Sequence, residues 1–242
     1  MTSVIESGKI SRNKGSPAQK EVFYEMAFID ESSLKDIMAL QGVIIHNLAD
    51  KEIFRTHSMD YFRDHFKVDN SVIGTFTEEG LIAYNVLYFP GMKEDNFGSD
   101  IGLPRDELSR VVHLATVAVH PAYRGNSLQK KMEGVHLRMV QEMGYEHVCC
   151  MVSPKNRPSL QNIFSNGLVI KALKIKFDQR LRFIMHKSLS RPSIIGPGEI
   201  RVNSSDIDGQ VDLLSRGFLG FQVVRLPEGF EIVYGKAYAS AI

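Results

Sequence analysis

The chain has 242 residues, of which 43% are hydrophobic and 24% are charged, as is usual for a globular protein that buries a core. Lys plus Arg number 29 against 28 for Asp plus Glu, a net charge of +1, so we expect neither a nucleic acid nor a membrane surface as partner. No apolar run approaches the ~20 residues that span a bilayer.

The first residues, 1–20, are polar and rich in Ser, Lys and Gly, without the apolar centre of a signal peptide. They predict a flexible N-terminal lead. The only cysteines are the adjacent Cys149 and Cys150, which point to opposite faces of a strand, so that a disulfide between them would be strained. We expect buried free thiols in a reducing compartment, the cytoplasm, and no metal site, because further ligands at suitable spacing are absent.

Residues 21–190 predict one mixed α/β domain, from alternating runs of apolar residues and helical spacing. Strands are expected at 21–30, 71–76, 81–88, 111–119, 145–152, 169–177 and 181–186, and helices at about 34–48, 59–66, 127–143 and 158–165. The turn at 78–80 makes the second and third strands antiparallel, whereas the strand–helix–strand unit from Val111 to Val152 favours a parallel crossover. The result is a central sheet of about seven strands with helices on both faces.

Residues 191–242 predict a helix followed by a hairpin across Pro227-Glu228-Gly229. Three such elements do not bury a core alone. We therefore expect this C-terminal extension to lengthen the main sheet, to cover its edge or to form a homodimer contact.

The most informative segment runs from Val117 through His120, Pro121, Tyr123, Arg124 and Gly125 into a helix that begins near Ser127. An apolar strand stops at the proline, and the first helical turn has free N–H groups and a partial positive charge. Such a terminus suits a pyrophosphate. Gly125 permits a close backbone approach, and Arg124 adds a direct charge. Loops of this kind also occur without a ligand, so the segment needs its context.

Together with the segment Asn156 to Ser159 after the next strand, this loop resembles the GNAT family of acyl-CoA N-acyltransferases. His120, Pro121, Tyr123, Arg124 and Gly125 match the family's central motif in order, and the order of elements agrees over about residues 22–187. The resemblance implies a GNAT-like fold and acetyl-CoA as co-substrate. It implies cofactor contacts from Val117, Ala118, Val119, Arg124, Gly125, Asn126, Ser127, Leu128, Gln129, Asn156 and Ser159.

Three positions depart from the family pattern. Ser127 stands where the family has its second loop glycine, although its N–H remains available and its hydroxyl suits a helix cap or a phosphate oxygen. Gln129 replaces a small residue and is expected to shift the loop slightly. Ile163 stands where many members have a tyrosine that acts as general acid.

The resemblance implies direct attack of an amine on the thioester, without a covalent enzyme intermediate. A base must then take a proton from the amine, and His113 holds a position comparable to a family glutamate on the motif strand. The alternative is a histidine that is hydrogen-bonded inside the core. The backbone N–H of Val117 or Val119 is the expected carbonyl contact. For the acid, Ser159, a water and the departing amine proton stay open.

Two functions follow from the resemblance. The first is an N-acetyltransferase that acts on an amine of a small molecule, an amino acid or a peptide. The second is a catalytically degenerate module of the same fold that binds or senses acyl-CoA. The acceptor is not indicated by the sequence.

Overall fold

A computed structural model describes residues 4–177, 179–191 and 193–238; within these, the side chain of residue 52 is left aside. Twelve strands lie in the described part of the chain: β1 (Val4–Arg12), β2 (Lys20–Phe28), β3 (Val72–Thr77), β4 (Gly80–Tyr88), β5 (Val111–Val119), β6 (His147–Val152), β7 (Val169–Lys176), β8 (Arg180–Ser188), β9 (Ile194–Ile195), β10 (Ile200–Asn203), β11 (Phe218–Arg225) and β12 (Phe230–Tyr238). The α-helices are α1 (Leu34–His46), α2 (Met59–Phe66), α3 (Phe97–Asp100), α4 (Leu128–Glu142), α5 (Arg157–Ser165) and α6 (Ile207–Ser215). Short 3-10 turns cover Glu31–Ser33, Lys51–Ile53, Arg105–Arg110 and Pro121–Tyr123.

The chain forms two compact units. The first extends to Tyr88 and includes Leu114–His136, and the second consists of Phe89–His113 and the chain from Leu137 onwards. The chain therefore passes from one unit to the other three times: after β4, within β5 and within α4.

In the first unit the strands follow the order β1-β2-β3-β4-β5, and both faces of the sheet are covered. Neighbouring residues of a strand point to opposite faces, so the adjacent Val72 and Ile73 enter different cores. Ile73 packs in the cluster that contains Leu128 and Met132 of α4. Val72 packs in the cluster that contains Leu34, Ile37, Leu40 and Ile44 of α1, which share one helical face.

In the second unit the order is β5-β6-β8-β7-β11-β12-β10, with β9 against β12. β5 pairs with β6 in parallel from Val111 to His113, and β6 with β8 and β7 with β8 are antiparallel. The mixed α/β prediction, with the parallel strand–helix–strand unit, is confirmed. No helix in the described ranges has the length and apolar character needed to cross a membrane.

The C-terminal elements continue the sheet of the second unit. Gly220 of β11 pairs with Ile170 of β7, and a Cβ at Gly220 would lie 2.9 Å from Cδ1 of Ile170. A side chain at this position would therefore require Ile170 to shift. The predicted helix and hairpin are confirmed as α6, β11 and β12, and lengthening of a sheet is the arrangement that the second unit shows. The division of the chain at residue 190 stays a prediction.

Three strands were not expected, namely β1, β9 and β10, so the sheet is larger than the seven strands and one hairpin of the prediction. The flexible lead is wrong for residues 4–12, because β1 pairs antiparallel with β2 along its length, from Val4 opposite Ala27 to Arg12 opposite Lys20. Hydrogen bonds to β2 fix the backbone of β1 although only its Ile10 is buried. Residues 13–19 of the predicted lead form an ordered turn, with Ser16 N donating to Asn13 O at 3.1 Å and Gln19 N to Ser16 O at 3.1 Å. Residue 20 begins β2, and residues 1–3 of the predicted lead lie outside the described residues.

Candidate functional site

The predicted phosphate loop begins with a rigid turn. Nδ1 of His120 accepts a hydrogen bond from the N–H of Ala122 at 3.1 Å, which caps the 3-10 turn Pro121–Tyr123. Tyr123 is 1% exposed, and its hydroxyl donates to Oε2 of Glu79 at 2.9 Å. Burial raises the pKa of Tyr123, so it stays a neutral donor. His120 and Tyr123 therefore shape the loop.

The next residues of the loop lie at the surface. Arg124, Gly125 and Ser127 are exposed, and both Gly125 (φ +81°) and Ser127 (φ +58°) are left-handed. The first intrahelical hydrogen bond of α4 runs from Lys131 N to Ser127 O at 3.0 Å. The N–H groups of the first turn of α4 have no acceptor within the helix, which is the arrangement that binds anions. Although Arg124 is exposed, partial desolvation by its neighbours lowers its pKa from 12.5, and its guanidinium remains charged at neutral pH. The residues fit a pyrophosphate.

Asn126 does not point its side chain at a ligand. Its Oδ1 accepts from Ser11 N at 3.0 Å, and its Nδ2 donates to Ser11 O at 2.7 Å and to Tyr123 O at 2.9 Å. The side chain is a clamp between β1 and the loop. The predicted cofactor contact of Asn126 is thereby limited to its backbone N–H.

Leu128 and Gln129 begin α4. Leu128 is 2% exposed and anchors the helix in the core. Gln129 is 9% exposed, and its Nε2 donates to Oε1 of Glu133, one turn further along, at 2.8 Å. Its side chain therefore extends along α4 towards Glu133. This position gives no reason for the loop shift that the sequence led us to expect from Gln129.

The residues at the end of β5 pack against the two hydrophobic clusters of the first unit. Ala118 is buried in the cluster that contains α1. Val117 and Val119 are partly buried against the cluster that contains α4. All predicted cofactor residues from Val117 to Gln129 thus belong to the first unit.

Asn156 and Ser159 lie in the second unit, at the start of α5. Oδ1 of Asn156 accepts from the N–H of Ser159 at 3.2 Å, which caps the helix. Ser159 is half-buried. Ile163, at the family's tyrosine position, is 3% exposed and has no proton to give.

His113 is placed inside the second unit. It is 2% exposed, its Nε2 accepts from Phe97 N at 3.1 Å, and its ring stacks on Phe97 with centroids 4.1 Å apart. Burial, with a smaller effect of Lys176, lowers its pKa to about 3. Such an imidazole is a poor base at neutral pH, and its lone pair at Nε2 is already used. This corrects the proposed base: the interior, hydrogen-bonded alternative is the arrangement found.

Sequence reasoning missed the turn between β1 and β2. Asn13 N donates to Ala122 O at 2.6 Å, and Lys14 Nζ lies 3.0 Å from Gly125 O. Arg12 pairs with Glu79 at 3.2 Å, the carboxylate that also accepts from Tyr123. No periodicity signals these contacts, because their partners lie more than 60 residues away along the chain.

Comparison with known proteins yields no matching family model and no matching curated protein. Solved structures do match. The structure of yncA from Salmonella typhimurium with its cofactor acetyl-CoA has a TM-score of 0.51 at 17% identity, over 69% of this chain and 94% of that chain. The NatC complex bound to Gag peptide and CoA gives 0.53 at 13% identity, over 69% and 98%.

The acetyltransferase of GNAT family from Streptococcus pneumoniae gives a TM-score of 0.52 at 11% identity, over 68% of this chain and 98% of that chain. At these identities the likeness concerns the fold. It agrees with the order of elements. The chain therefore has the GNAT N-acetyltransferase fold.

Proposed function

We propose that the chain is an acyl-CoA-dependent N-acyltransferase that transfers an acetyl group from acetyl-CoA to an amine. The observation that carries the proposal is the exposed loop at the start of α4, with left-handed Gly125 and Ser127 and a charged Arg124 beside them. The fold supports it, since structures of this fold include one with acetyl-CoA and one with CoA and a peptide. The amine belongs to a small molecule, an amino acid or a peptide.

The roles of the residues follow from their chemistry. The first-turn N–H groups of α4, from Leu128 and Gln129, and the N–H groups of Gly125 and Ser127 are proposed to bind the pyrophosphate, with Arg124 as counter-charge. The N–H of Val117 or Val119 is proposed to polarise the thioester carbonyl. The thioester supplies an activated acyl group. Asn156 and Ser159 are proposed to contact the cofactor's arm.

Proton transfer is assigned to water rather than to a buried side chain. With His113 neutral and engaged, the proton of the attacking amine is proposed to leave to solvent water, and Ser159 remains the one side-chain candidate for the proton that the departing thiolate takes up. Neither Cys149 nor Cys150 is a nucleophile here, because both are buried and burial raises the pKa of Cys149 to about 12.

The test has a binding arm and a turnover arm. Titration calorimetry with acetyl-CoA should show binding, and Arg124→Ala should weaken it about tenfold through loss of a charged contact. Arg138→Ala, which removes an exposed arginine further along α4, is the matched control and should bind like the wild type. Release of CoA thiol is then followed over a panel of small amines, amino acids and peptides. If the wild type did not bind acetyl-CoA, the proposed function would be wrong.

The second candidate is a module that binds acyl-CoA without turnover. It is favoured by the interior position of His113 and by the buried Ile163 where many members of the family have a tyrosine. Tight acetyl-CoA binding without thiol release for any amine of the panel would select it over the enzyme.

A further inference from the structure

The N-terminal hairpin of β1 and β2 is fixed onto the phosphate loop at several points. Asn126 holds Ser11 by two hydrogen bonds, and Asn13 N donates to Ala122 O at 2.6 Å. The turn itself is ordered, since Asn13 takes the left-handed conformation (φ +51°) that asparagine tolerates, and Gly15 N donates to Oε1 of Gln19 at 2.9 Å. The side chain of Lys14 is therefore carried by a well-anchored turn.

Lys14 lies on the exposed tip of the loop. Its Nζ donates to Gly125 O at 3.0 Å, and its Cδ lies 3.5 Å from the place where a Cβ of Gly125 would be. An ammonium group has three donors, and this carbonyl takes one. In the chain, Gly125 lies between Arg124 and the N–H groups at the start of α4. Because Lys14 contacts Gly125, it adds a second cation, besides Arg124, next to the start of α4.

The charges around Lys14 set it apart from its neighbours. Lys9 pairs with Glu21 at 2.7 Å, Lys20 with Glu78 at 3.5 Å, Arg12 with Glu79 at 3.2 Å and Lys131 with Glu6 at 2.6 Å. For Lys14, the described part of the chain supplies no carboxylate within ion-pair distance. The other cations of the hairpin, Lys9, Arg12 and Lys20, are thus paired with carboxylates. Lys14 instead contacts the phosphate loop, one residue from the exposed Arg124.

We infer that Lys14 is a cofactor-binding residue that holds the pyrophosphate of coenzyme A from the side of the N-terminal hairpin. The inference rests on the proposed function and adds to it a contact outside the loop motif. The ammonium leaves the carbonyl of Gly125, or shares its donors with it, and contacts a phosphoryl oxygen, while Arg124 and the first-turn N–H groups of α4 hold the other side.

The experiment compares Lys14→Ala with Lys20→Ala, a matched control that removes a lysine from the opposite strand of the same hairpin. Both are titrated with CoA in a calorimeter, after thermal unfolding has shown that each is folded. Lys14→Ala is expected to weaken binding about tenfold, Lys14→Arg to retain it within about threefold, and Lys20→Ala to match the wild type. Equal affinities of Lys14→Ala and Lys20→Ala would overturn the inference.

Two further readouts separate a charge contact from a packing effect and identify the phosphate. The loss in Lys14→Ala should shrink to a few-fold when the salt concentration is raised from about 50 mM to about 500 mM, because salt screens an exposed contact. The same loss is expected with 3′-dephospho-CoA, which keeps the pyrophosphate. A loss that disappears with this ligand would overturn the pyrophosphate assignment in favour of the 3′-phosphate.

The outcome for the wild type distinguishes the two proposals. If the wild type does not bind CoA, the proposed function fails, and the role of Lys14 fails with it. If the wild type binds CoA and Lys14→Ala binds it equally well at low salt, only the inference about Lys14 fails.

Discussion

Ser127 carries a backbone conformation that its side chain does not favour. Its φ of +58° lies in the left-handed region, which costs a residue with a Cβ about 1 kcal/mol or more relative to glycine. The family resemblance places a glycine here, and the geometry is still the one that a glycine would take. The surrounding loop and α4 hold Ser127 in this strained conformation at the start of the helix.

Ser127→Gly is therefore expected to raise the free energy of unfolding by about 0.5 kcal/mol, since relief of the strain outweighs the greater entropy of glycine in the unfolded chain. Urea unfolding followed by circular dichroism measures the change. Ser127→Ala keeps the strain and removes the hydroxyl, so it should not stabilise. A stabilised alanine variant together with an unchanged glycine variant would contradict this explanation.

How far single residues could be predicted depended on whether their partners were close in sequence. The exposed Arg124-Gly125 turn follows from proline, glycine and the start of a helix, and these signals are local. The sequence leaves open whether His113 is a base or an interior residue, because its partner Phe97, at the start of α3, lies 16 residues earlier. Period-two alternation gives a strand residue its face but does not reveal what covers that face.

At the scale of elements, β1 shows why the prediction of a flexible N-terminal lead is wrong for residues 4–12. Its sequence, VIESGKISR, mixes charged, small and apolar residues, and only Ile10 is buried. Edge strands commonly carry such residues, because one side of the strand faces water and charged side chains discourage further pairing. Composition therefore indicated a flexible lead, whereas backbone pairing with β2 and side-chain contacts to α4 order this segment.

The contact between β1 and the loop depends most on Asn126, which makes three hydrogen bonds from one half-buried amide. Asn126→Ala should lower the free energy of unfolding by about 2–3 kcal/mol, since each bond contributes about 1 kcal/mol. It should also weaken acetyl-CoA binding, because Ser11 and Tyr123 no longer hold the loop. Chemical denaturation and calorimetry measure the two effects.

Asn47→Ala is the matched control, since the amide of Asn47 makes one exposed hydrogen bond, to Val43 O at 2.8 Å, at the end of α1. We expect a cost below about 1 kcal/mol and unchanged binding. Equal costs for the two variants would show that the clamp between β1 and the loop contributes little.

At the scale of the whole molecule, buried neutral histidines link stability to pH. His113, His136 and His186 are 2%, 0% and 3% exposed, and burial lowers the pKa of each from 6.5 to about 3. Each has a polar neighbour as a neutral ring: Phe97 N for His113, Oδ1 of Asn85 for His136 and a ring nitrogen of His147 for His186. The fold is therefore built around uncharged imidazoles in both units.

The sign of the pH effect follows from where the proton binds. Below pH 6.5 the unfolded chain binds a proton at each of these histidines, whereas the folded chain does so only near pH 3. Their contribution to stability is thus complete above pH 6.5 and is lost progressively as the pH falls towards 3. For one such histidine the loss between pH 7 and pH 5 is about 2 kcal/mol.

His113→Gln tests this for the residue that sequence reasoning offered as the general base. The amide oxygen of glutamine can accept from Phe97 N, so the variant should fold with a cost of about 1–2 kcal/mol at pH 7 from the lost ring stack on Phe97. Its loss of stability between pH 7 and pH 5 should be smaller than that of the wild type by about 2 kcal/mol. Lys176, which pairs with Asp100 at 2.6 Å, is present in both proteins.

His46→Gln removes an exposed histidine at the end of α1 and should keep the pH dependence of the wild type. Urea unfolding at both pH values gives the stabilities, and thiol release by any amine that proves to be an acceptor gives the pH–rate profile. An interior role for His113 requires a flatter stability profile together with an unchanged shape of the rate profile. The opposite outcome would be a pH–rate profile that loses one of its pH-dependent limbs in His113→Gln, while the stability of the variant falls with pH as in the wild type. In that case His113 is the base, and its buried position applies only to the state without substrate.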